Sequence, residues 1–229
     1  MKVGLLECDD VAGRFPETSG GYREMFAALL PGFSFEYFSA FSGKLPSSPR
    51  ECEAWLCTGS KYSVYDGTKW IAGLAAFIRS VNEEERPFVG ICFGHQMLAH
   101  AMGGEVAKAK QGWGAGVLPL RILKNEPWME PALPEVRIQH MHQDQVVRLP
   151  EKSVVLGESD HCEVGMFRVG ETMLGIEGHP EFTVEFGAAL IRARRERIGL
   201  QESERALQSL KGKTDGSVVG RWISRFLQR

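Results

Sequence analysis

Val89-Gly90-Ile91-Cys92-Phe93-Gly94-His95-Gln96 places a cysteine where an apolar strand must turn abruptly into a helix. Residues 87–91 read as a short buried strand, and Met97, Leu98, Ala101 and Met102 recur at helical spacing until Gly103-Gly104 offers a stop. Cys92 falls at the joint. Gly90 and Gly94 let the backbone turn tightly there, and the free N–H groups and positive dipole end of the helix favour thiolate over thiol. This is nucleophile-elbow logic with sulfur in place of oxygen. Taken alone, Cys92 reads equally well as a small hydrophobe in a core, since free cysteine is among the most buried residue types.

A base for such a nucleophile is found toward the other end of the chain. Met173-Leu174-Gly175-Ile176-Glu177-Gly178-His179-Pro180-Glu181-Phe182 reads as a second apolar strand ending in a histidine, with a carboxylate two residues on. His179 can take a thiol proton and return one to a leaving amine, while Glu181 holds the imidazole tautomer and stabilises its charged form. Residues at the carboxyl ends of different strands of a parallel sheet converge on one crevice, so their separation in sequence is no obstacle.

Together these segments resemble the class I glutamine amidotransferase domains. The cysteine motif of that family runs Gly-x-Cys-x-Gly-x-Gln, and its later motif runs Gly-x-Gln-x-His-Pro-Glu. Gly90, Cys92, Gly94 and Gln96 match the first throughout; His179, Pro180 and Glu181 match the core of the second, from which Glu177-Gly178 departs. By its motifs the resemblance spans residues 50–185 and keeps their order. Cys57-Thr58-Gly59-Ser60-Lys61-Tyr62-Ser63-Val64-Tyr65-Asp66 follows an apolar strand and resembles the family's Gly-Gly-Pro-x-Ser-Val loop, with Ser60 and Lys61 where the family has glycine and proline. The resemblance implies that the backbone N–H groups of Gly59 and Phe93 hold the oxyanion of a tetrahedral intermediate. The competing reading is an ordinary strand-to-helix turn in which Ser63 with Asp66 caps a helix starting near Gly67.

Gln139-His140-Met141-His142-Gln143-Asp144 resembles the family's Met-Ser-His-x-Asp segment, with Met141 replacing serine. The resemblance implies that His142 and Asp144 help hold the amino-acid end of glutamine, with Gln96 and Trp113 as further substrate contacts. Two other readings stay open: His140, His142 and Asp144 alternate onto one strand face and would suit a metal, or they are satisfied surface residues. The cysteine mechanism needs no metal and no second ligand cluster lies nearby in sequence, so neither metal nor cofactor is expected. Gln111-Gly112-Trp113-Gly114 reads either as a loop closing over substrate or as a packed tryptophan. Its glycines precede a strand pattern, whereas a phosphate-binding glycine loop should open a helix.

What the resemblance implies is attack by the Cys92 thiolate on a γ-glutamyl amide, protonation of the departing amine by His179, and hydrolysis of the acyl-enzyme by water. Glutamine would yield glutamate and ammonia. Such domains normally deliver ammonia to a synthetase, and only ~45 residues follow the motifs, too few for a second catalytic domain of ordinary size; a separate synthetase subunit is the expected partner on this reading. Gly-Ile-Cys-Phe-Gly-His-Gln, Gly-Trp and Ser-Val-Tyr-Asp are also similar to free-standing γ-glutamyl peptidases of the same superfamily, which implies hydrolysis of γ-glutamyl peptides or conjugates instead. A non-catalytic ligand- or partner-binding domain is the third reading.

Length and composition fit a compact enzyme: 229 residues, 43% hydrophobic, with a net charge of −2. One domain spanning 1–229 is expected, with a helical extension over about 183–229. The cysteines, at positions 8, 52, 57, 92 and 162, show neither paired metal spacing nor a secretory framework, which fits a reducing cytoplasm. Neither a signal pattern nor a membrane-length apolar stretch is apparent. Arg192, Arg194, Arg195 and Arg197 form the densest basic cluster, but without excess positive charge or interleaved aromatics it reads as a solvated helix face, and no nucleic-acid or membrane partner is expected.

These groups need a scaffold, and alternating strand and helix signals supply one. Strands at 3–6, 33–38, 54–56 and 87–91 alternate with helices at about 21–30 and 68–82, which predicts an open, mostly parallel sheet flanked by helices, of the flavodoxin-like class I glutaminase kind. Between residues 105 and 178 short strands, including 136–138, 153–156 and 164–169, predict antiparallel additions that extend or cover the sheet. Helix is expected from residue 182 onward and again over 218–227, with 211–217 as a flexible connection.

Overall fold

The computed structural model describes residues 1–15, 18 and 20–229. Among these, the strands are β1 (Lys2–Leu6), β2 (Ser34–Phe38), β3 (Ala54–Cys57), β4 (Phe88–Ile91), β5 (Glu105–Lys108), β6 (Gly114–Ile122), β7 (Glu135–His142), β8 (Asp144–Arg148), β9 (Ser153–Glu158), β10 (Met166–Val169) and β11 (Met173–Ile176). The α-helices are α1 (Tyr22–Leu29), α2 (Lys69–Glu83), α3 (Phe93–Ala101), α4 (Val184–Ala193), α5 (Arg195–Ile198), α6 (Leu200–Ser209) and α7 (Gly216–Leu227).

Nine strands form one sheet in the order β2-β1-β3-β4-β11-β10-β9-β6-β7. The first five run parallel, and the remaining four are joined by antiparallel pairings. The antiparallel strands therefore extend the sheet edge to edge. Strands β3, β4 and β11 are buried at every residue, as an apolar run must be when helices cover both faces of a parallel sheet. On one face α1, α4 and α7 pack Phe26, Phe186 and Trp222 against Leu5, Val89 and Ile91. On the other, α2 and α3 pack Leu74, Ile78 and Met97 against Leu6, Trp55 and Phe88. The buried residues of α2 (Ile71, Leu74, Ala75, Phe77, Ile78 and Val81) recur at the spacing of a single helical stripe.

The sequence patterns did not reveal β5 and β8, which pair with each other as a separate two-stranded ribbon beside α3. The stretch expected to be a flexible connection ends in an anchor. The Asp215 N–H donates to the Arg137 carbonyl at 2.7 Å, Asp215 Oδ2 accepts from the Arg137 N–H at 2.8 Å, and α7 begins at the next residue. A side chain at Gly216 would sit 2.5 Å from the Pro180 carbonyl, so α7 is held against the turn that carries His179 and Glu181. No helix among the described residues is long and apolar enough to cross a membrane.

Candidate active site

Cys92 caps the N-terminus of α3 with φ 51° and ψ −105°, a left-handed backbone that a non-glycine residue rarely adopts. The flanking glycines serve a different purpose from the one their type alone indicates. Neither Gly90 nor Gly94 has a positive φ among the described residues; instead a Cβ on Gly90 would lie 2.2 Å from the Gly94 carbonyl, and one on Gly94 would lie 2.4 Å from the Cys57 carbonyl. They let α3 approach the sheet, while Cys92 itself carries the strain. The Cys92 N–H donates to the Ile176 carbonyl at 2.8 Å, tying the elbow to the end of β11.

His179 follows β11 by three residues and is buried. Its N–H donates to the Gln139 carbonyl at 2.7 Å, its Nδ1 lies 2.7 Å from Glu181 Oε1, and its ring stacks on Phe182 with centroids 3.8 Å apart. The Gln139 amide fixes the same turn by donating to the Phe182 carbonyl at 2.9 Å. Imidazole orientation is thus set from three sides, with the Nε2 side turned toward Gly59, where a Cβ would lie 2.8 Å from His179 Cε1 and 2.7 Å from the Tyr22 hydroxyl. The carboxyl ends of β3, β4 and β11 consequently gather Gly59, Cys92 and His179 in one place. In this resting arrangement, among the described residues, no hydrogen bond joins the Cys92 thiol to the His179 ring.

The helix N-terminus does not prevail over burial at Cys92. Burial pushes the thiol well above its ordinary range, Glu177 and Glu181 push it further, and Arg194 and the Phe93 N–H pull the other way. Cys92 is thus held toward the thiol form.

The remaining expected contacts line a cleft of about 90 Å³ that opens onto Cys92, Phe93, Gln96, Trp113, His142 and Asp144. Gln96 acts as a cross-brace: its Nε2 donates to the Asp144 carbonyl at 3.0 Å and to Glu177 Oε1 at 2.9 Å. His142 Nε2 faces His140 Nδ1 at 3.2 Å and its Nδ1 faces the Asp144 carbonyl at 3.2 Å. Burial drives both imidazoles below their ordinary range, His140 to about 3. The Asp144 carboxylate accepts from the hydroxyls of Ser63 and Tyr65. His140, His142 and Asp144 therefore do not present three converging donors as a metal site would. Ser63 is also not a helix cap, since α2 starts after Thr68 and the Ser63 hydroxyl is spent on Asp144.

The sequence patterns gave no sign of the charge of this cleft. Lys61, Lys108, Arg194 and Arg197 line it. Arg194 and Arg197 stack over the Trp113 ring at 5.8 and 5.3 Å, so the glycine-flanked tryptophan, which also packs against the core, is a platform for cations. Of the basic cluster read as a solvated face, Arg195 does pair with Glu204, but Arg194 turns inward and forms no ion pair among the described residues. Burial works against its charge, while Cys92 and Tyr22 favour it. The signal lay in the bend between α4 and α5, which a pattern of charged residues does not encode.

A fold of this topology with a strained cysteine at the end of one central strand and a histidine-carboxylate pair beyond its neighbour defines a class. The family model described as glutamine amidotransferase class-I matches residues 59–194, and the chain belongs to that family. Among similar proteins are γ-glutamyl peptidase 4 of Arabidopsis thaliana, 33% identical over 72% of this chain and 70% of that one, and a glutamine-hydrolysing GMP synthase subunit of Archaeoglobus fulgidus, 36% identical over 49% of this chain and 62% of that one. A glutamine amidotransferase from Thermotoga maritima has the same fold, with a TM-score of 0.77 at 20% identity over 100% of this chain and 99% of that one.

Proposed function

We propose that this chain hydrolyses γ-glutamyl amide bonds through an acyl-enzyme on Cys92, and that its preferred substrates are γ-glutamyl peptides or conjugates whose departing part carries a carboxylate. In the proposed reaction His179 takes the Cys92 proton, the thiolate attacks the γ-carbonyl, and the N–H groups of Gly59 and Phe93 hold the oxyanion. His179 then protonates the departing amine, and water attacks the thioester with the same imidazole as base. Glu181 holds the tautomer and the charged form of that ring. Gln96, Trp113, His142 and Asp144 shape the cleft in which the glutamyl group lies.

The observation that carries the choice of substrate is Arg194, a half-buried cation beside Cys92 and Tyr22 with no carboxylate partner among the described residues. Ammonia leaving from glutamine brings it no carboxylate, so in glutamine only the α-carboxylate of the glutamyl group itself is available to pair with it. A leaving amino acid or peptide brings a carboxylate that a guanidinium can bind bidentately. Similarity to a γ-glutamyl peptidase over most of both chains supports this reading.

A second reading, ammonia production for a separate synthetase subunit, is favoured by the similarity to the GMP synthase subunit. Comparing kcat/KM for γ-glutamyl dipeptides with that for glutamine, with Cys92→Ala as control, separates the two. Preference for the dipeptides by ~10-fold or more is expected; efficient turnover of glutamine alone would favour the second. We take residues 1–229 to act as one catalytic unit, because α6 and α7 pack on β6 and α1. A reducing cytoplasmic setting suits the five unpaired cysteines.

A further inference from the structure

Glu177 is the one fixed position of Gly-x-Gln-x-His-Pro-Glu at which this chain differs, carrying a carboxyl where the motif has an amide. Its side chain is completely buried behind the elbow. Oε1 accepts from Gln96 Nε2 at 2.9 Å, and Oε2 lies 3.3 Å from His95 Nε2; neither of those last two atoms finds another partner among the described residues. The ionisable groups facing Glu177 are Cys92 and His95 at α3, His142 on β7, Asp144 on β8, and Cys162 ahead of β10. None of them supplies a positive charge: burial drives His95 to about 3 and His142 well below its ordinary range, and Asp144 opposes a second anion. An ionised Glu177 would be a buried anion without a cation, which is costlier than burying an unpaired neutral polar group. As a neutral acid it can place its proton on Oε2 and donate to His95 Nε2, as one N–H of a glutamine amide would.

We propose that Glu177 is a positioning residue that in its uncharged form does the work of the motif's glutamine, bracing α3 behind Cys92, and that its ionisation opposes formation of the Cys92 thiolate. Burial pushes its carboxyl well above the usual carboxylate range, although Gln96 donates to it. After burial itself, Glu177 is the strongest influence holding the Cys92 thiol up. The nucleophile of this chain is thereby weakened at high pH, where a glutamine in the same place would leave it to strengthen freely.

The inference rests on Cys92 being the nucleophile, but its test reads thiol chemistry and not turnover. Alkylation of Cys92 by iodoacetamide, located by peptide mass spectrometry, is to be followed against pH in the unsubstituted protein and in Glu177→Gln. The ratio of the variant's rate to the parent's is expected to rise ~5-fold or more between the acid and alkaline ends of the range in which the parent stays folded. A ratio constant across that range overturns the proposal. Should Glu177→Gln fail to fold, carboxyl-13C glutamate NMR on the unsubstituted protein decides: one glutamate that remains protonated after the others have ionised is expected, and ionisation of all glutamates together overturns it.

Discussion

Cys92 is a buried cysteine in a strained backbone, and strain of that kind costs about 1–3 kcal/mol per residue. In the proposed reaction the return on that cost is a thiol presented at the carboxyl end of β4 beside the Phe93 N–H. The imidazole that must activate it is held by Glu181 at 2.7 Å. Glu181→Gln keeps the shape and loses the tautomer control, so kcat for γ-glutamyl hydrolysis is expected to fall ~10²- to 10⁴-fold with little change in KM. Steady-state kinetics with a γ-glutamyl dipeptide checks this, and an unchanged kcat would remove Glu181 from the mechanism. Arg194→Met tests the choice of substrate. Loss of a charge-assisted contact worth about 1.5–3 kcal/mol should raise KM ~10-fold or more for dipeptides with a free carboxylate, but leave the amidated dipeptide nearly unaffected. Equal effects on both substrates would show that Arg194 does not bind the departing carboxylate but acts on the glutamyl α-carboxylate or through packing.

At the level of elements, the site depends on how closely α3 lies on β3 and β4. Gly94→Ala puts a methyl group 2.4 Å from the Cys57 carbonyl, a backbone atom that cannot swing aside. The strain is expected to cost about 1–3 kcal/mol, read as a lower urea midpoint with unchanged m-value, and to displace the Phe93 N–H. The parallel half of the sheet and its helices were legible in the sequence because its central strands are apolar runs and α2 an apolar stripe; α2 lies within a residue of its expected bounds. The elbow was legible for the same reason, since a strand pattern and a helix pattern meet at Cys92. Other features were not. The β5·β8 ribbon has a half-exposed face and few apolar residues, so its periodicity is weak. The inward turn of Arg194 depends on the bend between α4 and α5, and the Gln96–Glu177–His95 brace depends on register between β4 and β11. Those are tertiary facts with no local pattern.

The molecule as a whole buries an uncommon set of neutral ionisable groups near its site, and its stability should follow their protons. His95 and His140 are driven from 6.5 to about 3 and His142 well below 6.5, so the unfolded chain binds more protons than the folded one as pH falls through 6.5. Their contribution is fully present above 6.5 and is lost progressively toward 3. Glu177 has the opposite sign: its carboxyl is raised above 4.5, so its contribution is full below 4.5 and is lost as pH rises through its folded value. Thermal unfolding midpoints are therefore expected to climb between about pH 4.5 and 6.5, where three histidines outweigh one glutamate, and Glu177→Gln is expected to steepen the lower end of that climb. An identical slope in the variant would take Glu177 out of that balance. Every step of the proposed reaction requires Cys92 to carry the γ-glutamyl group, and acid-quenched intact-protein mass spectrometry during turnover reads that group directly. One γ-glutamyl adduct on Cys92 is expected, of the same mass whichever γ-glutamyl substrate is used and missing from Cys92→Ala. Hydrolysis of those substrates by Cys92→Ala at the parent rate, or an adduct on another residue, would refute the acyl-enzyme on Cys92.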